Sequence, residues 1–96
     1  MLRNLKPTDN ICGFDVRPGH YEFDGAMPVR GGVNFTVSSF YATSITLLLF
    51  KERAKEPFAR IPFPESYRIG NTYSMIVFGL EIDKILTSVN SKNLSY

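Results

Sequence analysis

The carboxylates that could act as general acids or bases are spread along the whole 96-residue chain. Acid–base chemistry on one bond needs two such groups held within reach of the same reacting atoms. None of the candidate acids belongs to a recognisable catalytic motif, and most lie in predicted loops, so we interpret them as solvated surface groups. The acids considered are Asp15, Glu22, Asp24, Glu52, Glu56, Glu65, Glu81 and Asp83.

His20 and Cys12 are the only residues of their types in the chain. Protein metal sites use three or four ligands, so His20 lacks the companions that it would need. A Cys–His nucleophile pair is conceivable, but the neighbouring residues carry no family signature, and we interpret Cys12 as an incidental thiol. Gly31-Gly32 lacks the spacing and the following helix of a phosphate loop, so it predicts a turn. We expect no metal, no cofactor and no catalytic residue.

The composition is that of a single small globular domain. Hydrophobic residues make up 44% and charged residues 21% of the chain, and the net charge is +2. No run of Lys and Arg is long enough to follow a nucleic-acid backbone, and the longest apolar run, Leu47 to Phe50, is too short to span a bilayer. A single cysteine excludes an internal disulfide, and the N-terminus has no signal-peptide core. We therefore expect a cytoplasmic protein without a nucleic-acid or membrane partner.

The segment 31–50 predicts the central pair of strands. Val33, Phe35 and Val37 alternate with polar residues, which is the two-residue period of a strand with one face toward a core. In the second strand Ile45, Leu47 and Leu49 share one face. Thr46, Leu48 and Phe50 share the other face, so this strand is apolar on both sides, as in a central strand or one covered from outside.

Flanking segments predict the remaining strands. Apolar and polar residues alternate in His20–Asp24, which suggests a short strand before a turn at Gly25. The segment that leads into the central pair contains Pro28, so it is predicted to be an edge strand or to remain unpaired. Phe58–Phe63 predicts a third strand that ends at prolines. Thr72–Phe78 predicts a fourth, with Tyr73, Met75 and Val77 on one face and Ile76 and Phe78 on the other.

The C-terminal segment changes its period. Between Glu81 and Asn90 the apolar residues are spaced at i, i+3, i+4 and i+7, which predicts a short helix followed by a polar tail. The predicted organisation is an extended arm at 1–17, an all-β sandwich at 18–82, and a divergent tail at 83–96 that is helical or disordered.

Five segments in the same order resemble the N-terminal module of isoamylase-type glycogen-debranching enzymes of the α-amylase superfamily (glycoside hydrolase family 13). That module is classed with the glycogen-binding domains, carbohydrate-binding module family 48. The resemblance covers roughly residues 13–82. The segments are Arg17-Pro18-Gly19, Gly25-Ala26, Gly31-Gly32-Val33-Asn34-Phe35 with the strand that ends at Leu49-Phe50, Arg60-Ile61-Pro62-Phe63-Pro64-Glu65, and Ile76-Val77-Phe78-Gly79-Leu80.

The resemblance implies an immunoglobulin-like (early-set) β-sandwich that is incomplete at its C-terminus. The family's next strand, its Asp-Gly-Pro-Tyr turn and its (β/α)₈ catalytic barrel do not follow Leu80. We therefore expect a truncated or frame-shifted relative, or an isolated module with a new C-terminus. A sandwich that lacks one strand exposes an unpaired sheet edge, so we also expect self-association or marginal stability.

The resemblance further implies contact with α-glucan, and aromatic side chains that stack on sugar rings are the candidates for it: Tyr41, Tyr67 and Tyr73. The glycogen-binding members use tryptophan platforms, and this chain has no Trp. Packing in a sheet is therefore the favoured interpretation of Tyr73. Two predicted strands also carry apolar residues on the face opposite to the core. These residues are candidates for packing against a catalytic domain: Leu48, Phe50, Ile76 and Phe78.

Three hypotheses about function remain open at this point. The first is a non-catalytic module that packs on the catalytic barrel of a debranching enzyme and forms one wall of its glucan cleft. The second assigns the α-1,6-glucan hydrolysis of the resembled enzymes to this chain, although their catalytic acids lie on the absent barrel. The third is a stand-alone glycogen-targeting interaction domain, which the absence of Trp disfavours.

Overall fold

A computed structural model describes residues 6–40, 42–51, 53–81 and 85–93. Apart from one 3₁₀ turn, all regular elements of the described residues are β-strands. The strands are β1 (Asp9–Ile11), β2 (Phe14–Pro18), β3 (Gly25–Val29), β4 (Gly32–Ser38), β5 (Ala42–Lys51), β6 (Ala59–Pro62), β7 (Arg68–Ile69), β8 (Thr72–Phe78) and β9 (Ile85–Asn93); the 3₁₀ turn spans Glu65–Tyr67. The all-β prediction is confirmed, and no helix of the described residues is long and apolar enough to cross a membrane.

Two antiparallel sheets build the molecule. Sheet A has the strand order β1-β2-β8-β4-β3, and β7 continues the edge of β8 where β2 ends. Sheet B has the order β6-β5-β9. The central pair predicted from the sequence is therefore divided between the sheets, since β4 lies in sheet A and β5 in sheet B.

One hydrophobic core joins the two sheets. The alternation along β4, β5 and β8 is confirmed, because the residues predicted to face inward line the core, with Val37 half-buried at its margin. Each fully buried aliphatic side chain of this kind contributes about 1.5–3 kcal/mol relative to an exposed one. Sheet A supplies Val16, Val33, Phe35, Tyr73, Met75 and Val77; sheet B supplies Ile45, Leu47, Leu49 and Ile61; Phe63 and Tyr67 come from the connection between them.

The Gly31-Gly32 pair forms the turn that the sequence predicts. Gly31 has a φ of +87°, a left-handed conformation that glycine adopts without steric cost. Gly32 is the first residue of β4, and a Cβ atom there would collide with the backbone carbonyl of Val77 on β8. The pair therefore serves both the turn and the close approach of two backbones.

The N-terminal segments differ in part from the prediction. The arm expected at 1–17 includes β1 and β2, and β2 pairs with β8 and places Val16 in the core. The strand expected at His20–Asp24 is wrong, since these residues form a turn that leads to β3. β3 is an edge strand of sheet A, as Pro28 indicates.

The predicted C-terminal helix is also wrong. Residues Ile85–Asn93 form β9, which pairs with β5 from Lys51 to Ala42. β5 is ten residues long, and β6 pairs with only Thr46–Leu49 on its other side. The long free edge of β5 offers a ladder of backbone hydrogen bonds, and this tertiary pairing outweighs the local helical spacing of the apolar residues.

Candidate functional site

The two aromatic candidates for sugar stacking that the structure describes are both buried. Tyr73 is 1% exposed and packs edge to face on Phe63, at 6.1 Å between ring centroids. Tyr67 is 3% exposed, and its hydroxyl donates to the carboxylate of Asp9 at 2.5 Å. Neither ring can offer a face to a ligand. Tyr41, the third candidate, lies outside the described residues.

The four candidates for domain packing lie on two opposite outer faces. Leu48 and Phe50 are on the outer face of sheet B, and both are half-buried. Ile76 and Phe78 are on the outer face of sheet A. Because the two sheets share their inner faces, one flat partner cannot cover both pairs.

Ile76 has no surface to offer a partner, since it is 0% exposed. It lies between Arg17 of β2 and Asn34 of β4 in the register of sheet A. Phe78 is half-buried, and a Cβ atom on Gly31 would lie 3.6 Å from its ring. The structure therefore leaves Leu48 and Phe50 as the stronger pair.

A crossover segment, residues 19–24, covers the outer face of sheet A. It connects β2 to β3, which lie on opposite sides of β8 and β4. The Asn34 side chain accepts from the backbone N–H of His20 at 2.7 Å and donates to the His20 carbonyl at 3.3 Å. The Thr36 hydroxyl donates to the same carbonyl at 3.1 Å. These bonds hold the segment down on the sheet.

The polar residues beneath the crossover segment form a connected, buried network. Asn34, Thr36 and Ser74 are all nearly inaccessible to solvent. Thr36 bonds to the Asn34 amide at 3.1 Å and to the Ser74 hydroxyl at 2.8 Å. A Cβ atom on Gly19 would collide with the Asn34 and Ser74 side chains, so the segment passes close above them. The sequence identified these polar residues as facing away from the core, but not that they are covered.

The outer face of sheet B carries no comparable cover from the described residues. On β5 it consists of Ser44, which is exposed, and Thr46, Leu48 and Phe50, which are half-buried. The β6 residues opposite Thr46 and Leu48 are Pro62 and Arg60, and both are exposed. The apolar part of this face is thus the pair Leu48 and Phe50, with an exposed proline and an exposed cation on the neighbouring strand.

His20 and Cys12 lie in different surroundings. Cys12 is exposed at the turn between β1 and β2, with a left-handed φ of +53°. The His20 ring packs edge to face on Phe23 at 6.0 Å, and its Nδ1 lies 3.9 Å from a Glu22 oxygen. Its Nε2 is buried and has no hydrogen-bond partner among the described residues.

The candidate acids that the structure describes are exposed: Asp15, Glu22, Asp24, Glu56, Glu65 and Glu81. Their polar partners include the Asn10 amide, which donates to Asp15, His20, which lies 3.9 Å from Glu22, and Arg68, which pairs with Glu65 at 3.0 Å. Within the described ranges no group of three His, Cys, Asp or Glu side chains is placed to hold a metal ion. Glu52 and Asp83 lie outside those ranges.

Sequence reasoning missed one exposed aromatic residue. Phe40 is 82% exposed in the turn between β4 and β5. Ser39 donates its backbone N–H to the Asn71 carbonyl at 2.9 Å, which brings this turn to the turn between β7 and β8. Ile69 of β7, 64% exposed, lies at the same end of sheet A. The sequence did contain an indication that Phe40 is exposed. Phe40 follows the alternating strand and lies in the predicted turn, where a side chain has no sheet face that points to the core.

No protein-family model matches this chain, and no curated protein resembles it significantly in sequence. The resemblance to the debranching-enzyme module therefore rests on its five short segments alone.

Proposed function

We propose that this chain is a non-catalytic module with an immunoglobulin-like sandwich fold, which packs through the outer face of sheet B on a second domain. The resemblance at 13–82 suggests that this partner is the catalytic barrel of a glycogen-debranching enzyme. In that role the module stabilises the barrel and forms one wall of its glucan cleft. The observation that carries the proposal is the half-buried pair Leu48 and Phe50 on the central strand of sheet B.

The two faces of β5 explain why this pair favours a partner. Ile45, Leu47 and Leu49 on the inner face are at most 1% exposed, so the core is complete on that side. The outer residues Leu48 and Phe50 add apolar side chains that the core does not need. Partly exposed apolar side chains on the outer face of a sheet are candidates for contact with a partner.

The surroundings of the acids favour a module without hydrolytic chemistry of its own. A glycosidase holds two carboxyl groups about 5–9.5 Å apart on either side of the bond, and its general acid has a raised pKa. The candidate acids of this chain that the structure describes are exposed at the surface. We therefore place catalysis in the partner domain and expect no sugar release from glycogen or limit dextrin.

Titration calorimetry with a separately produced debranching-enzyme barrel tests the packing proposal. We expect binding, and we expect Leu48→Lys to weaken it at least about tenfold, since the substitution buries a charge in the contact. Ile69→Lys is the matched control, because Ile69 is an exposed aliphatic residue on the other sheet. Circular dichroism confirms that both variants fold. Absence of binding, or equal loss in both variants, would refute the proposal.

A second candidate function is weak contact with α-glucan at the end of sheet A. Phe40 exposes its ring there, and the neighbouring Ser38 and Thr72 hydroxyls are bonded to each other at 2.9 Å. An exposed ring beside hydroxyl groups suits the apolar face and the rim of a sugar. Affinity electrophoresis in glycogen tests this: we expect retardation that Phe40→Ala abolishes and Phe58→Ala, an exposed phenylalanine near β6, leaves unchanged.

A further inference from the structure

The longest sheet edge in the described part of the molecule belongs to β9. It pairs with β5 along one side, and its other side has no partner strand among the described residues. Nine residues at about 3.3 Å each give an edge of roughly 30 Å. The outward main-chain N–H and C=O groups of such an edge form a template for another strand.

The other edges carry features that limit strand pairing. β1 has three residues and β7 has two. β3 contains Pro28, and β6 has four residues and ends at Pro62. Proline removes a backbone donor, and a short strand offers few bonds, so these edges are poor templates.

The composition of β9 differs from that of the proline-containing edges β3 and β6. Ile-Leu-Thr-Ser-Val-Asn-Ser-Lys-Asn contains no proline and no glycine, and its single charge is Lys92. Long edges without proline and with little charge are those that pair with other chains. β9 therefore differs from every other described edge in length, and Lys92 near its C-terminal end is the one residue of its sequence that hinders strand pairing.

We propose that this chain forms a symmetric dimer in which β9 pairs antiparallel with β9 of a second copy. A two-fold axis perpendicular to the strand makes β9 antiparallel to its own copy, so one edge supplies both halves of the interface. Joining the two edges produces a six-stranded sheet of the order β6-β5-β9-β9-β5-β6. The proposal is independent of the proposed packing on a barrel, which uses the face of sheet B and not its edge.

The charge and the length of the strand fit a second copy as the occupant. When the two strands are centred on Val89, Lys92 of one copy lies opposite Leu86 of the other, and the two lysines are about 20 Å apart. Like charges are thus not placed opposite each other, which would destabilise the pair. The alignment also uses all nine residues of both strands.

The size of the contact sets its strength. An edge of roughly 30 Å on a single layer buries less than the about 1,200 Å² that stable complexes bury, so the dimer is weak and depends on concentration. Sedimentation velocity on the full chain from roughly 5 to 500 μM covers the range of such an equilibrium. We expect monomer at the low end and dimer at the high end.

Hydrogen exchange read by NMR identifies the edge directly. Backbone groups of an antiparallel strand point alternately to its two neighbours, so every second β9 amide bonds to β5 and the others point outward. We expect the first set to be protected at all concentrations and the second set to gain at least about tenfold protection only where the dimer is populated. A dimer whose outward β9 amides exchange as fast as in the monomer would overturn the proposal, as would a monomer throughout.

A pair of adjacent proline variants gives an independent test. Of Ser88→Pro and Val89→Pro, one removes a donor to β5 and destabilises the fold, whereas the other removes a donor from the open edge. We expect the second type to keep the monomer's thermal transition and to weaken dimerisation at least about tenfold. Leu48→Lys, on the face of sheet B, should leave the dimer intact; its loss in that variant would assign self-association to the face and contradict the proposal.

Discussion

Sheet A and sheet B differ in how their outer faces are covered. Each has one face on the shared core. On the outer face of sheet A the crossover segment covers Asn34, Thr36 and Ser74, and these residues are buried. The outer face of sheet B has no such segment over it in the described part of the chain, and it keeps Leu48 and Phe50 half-buried.

The difference separates the scaffold from the interaction surface. The polar residues under the crossover segment donate to and accept from the His20 backbone, and these hydrogen bonds fix the path of the segment. On sheet B apolar residues remain at the surface, where a second layer can use them. Among the described residues, sheet A therefore has a segment over part of its outer face, whereas sheet B has neither a segment over its outer face nor a strand beyond β9.

The largest loss of stability is expected from a substitution on the inner face of β5. Leu47→Ala should lower the free energy of unfolding by about 3 kcal/mol, because it leaves a cavity at a side chain that is 1% exposed. Chemical denaturation with a constant m-value measures it. A loss below about 1 kcal/mol would mean that the two sheets do not share a packed core.

The next largest loss of stability is expected where the crossover segment is bonded to sheet A. Asn34→Ala should cost about 2 kcal/mol, because the fully buried Asn34 side chain accepts from the His20 N–H and donates to the His20 carbonyl and to Thr36. Ser38→Ala is the control, since Ser38 lies on the same strand and face but is exposed. If the two variants are equally stable, the crossover segment contributes little and the contrast between the sheets fails.

Loss of the Tyr67 hydroxyl should have a smaller effect. Tyr67→Phe removes the bonds to Asp9 at 2.5 Å and to Thr8 at 3.4 Å, and should cost about 1 kcal/mol. Hydrogen exchange should show the loss first in β1, which these bonds attach to the core. An effect spread evenly over both sheets would contradict this local role.

Alkaline pH tests the same contact. Burial raises the pKa of the Tyr67 phenol above its ordinary 10.0, and the hydrogen bond to Asp9 raises it further. Burial also raises the pKa of Tyr21. The unfolded chain therefore loses these protons first, so the contribution of the two tyrosines to stability should be constant below pH 10 and fall as the pH rises above it. Thermal melts from pH 8 to about 11 measure the decline, which Tyr67→Phe should reduce.

The smallest effect is expected on the outer face of β5. Leu48→Ala should cost less than about 1 kcal/mol in the isolated chain, because its side chain is only half-buried. Comparison with Leu47→Ala, one residue earlier on the same strand, removes differences in β-propensity. A cost equal to that of Leu47→Ala would mean that this face is part of the fold and not free for a partner.

The sequence was sufficient for the features that depend on local geometry. Alternation of apolar residues correctly predicted β4, β5, β6 and β8, because the two-residue period is a property of the extended backbone. It also correctly divided β8 into an inner set at Tyr73, Met75 and Val77 and an outer set beginning at Ile76. The turn at Gly31 followed from the conformational freedom of glycine.

Only the tertiary structure decided which surfaces are covered. Tyr67 and Tyr73 look like possible sugar platforms in the sequence, yet the opposing sheet and the Asp9 contact enclose them. Residues 85–93 have helical spacing, yet they form a strand because β5 has a free edge that lies forty residues earlier in the chain. Periodicity is set by neighbours along the chain, whereas burial and strand pairing depend on segments that meet only after folding.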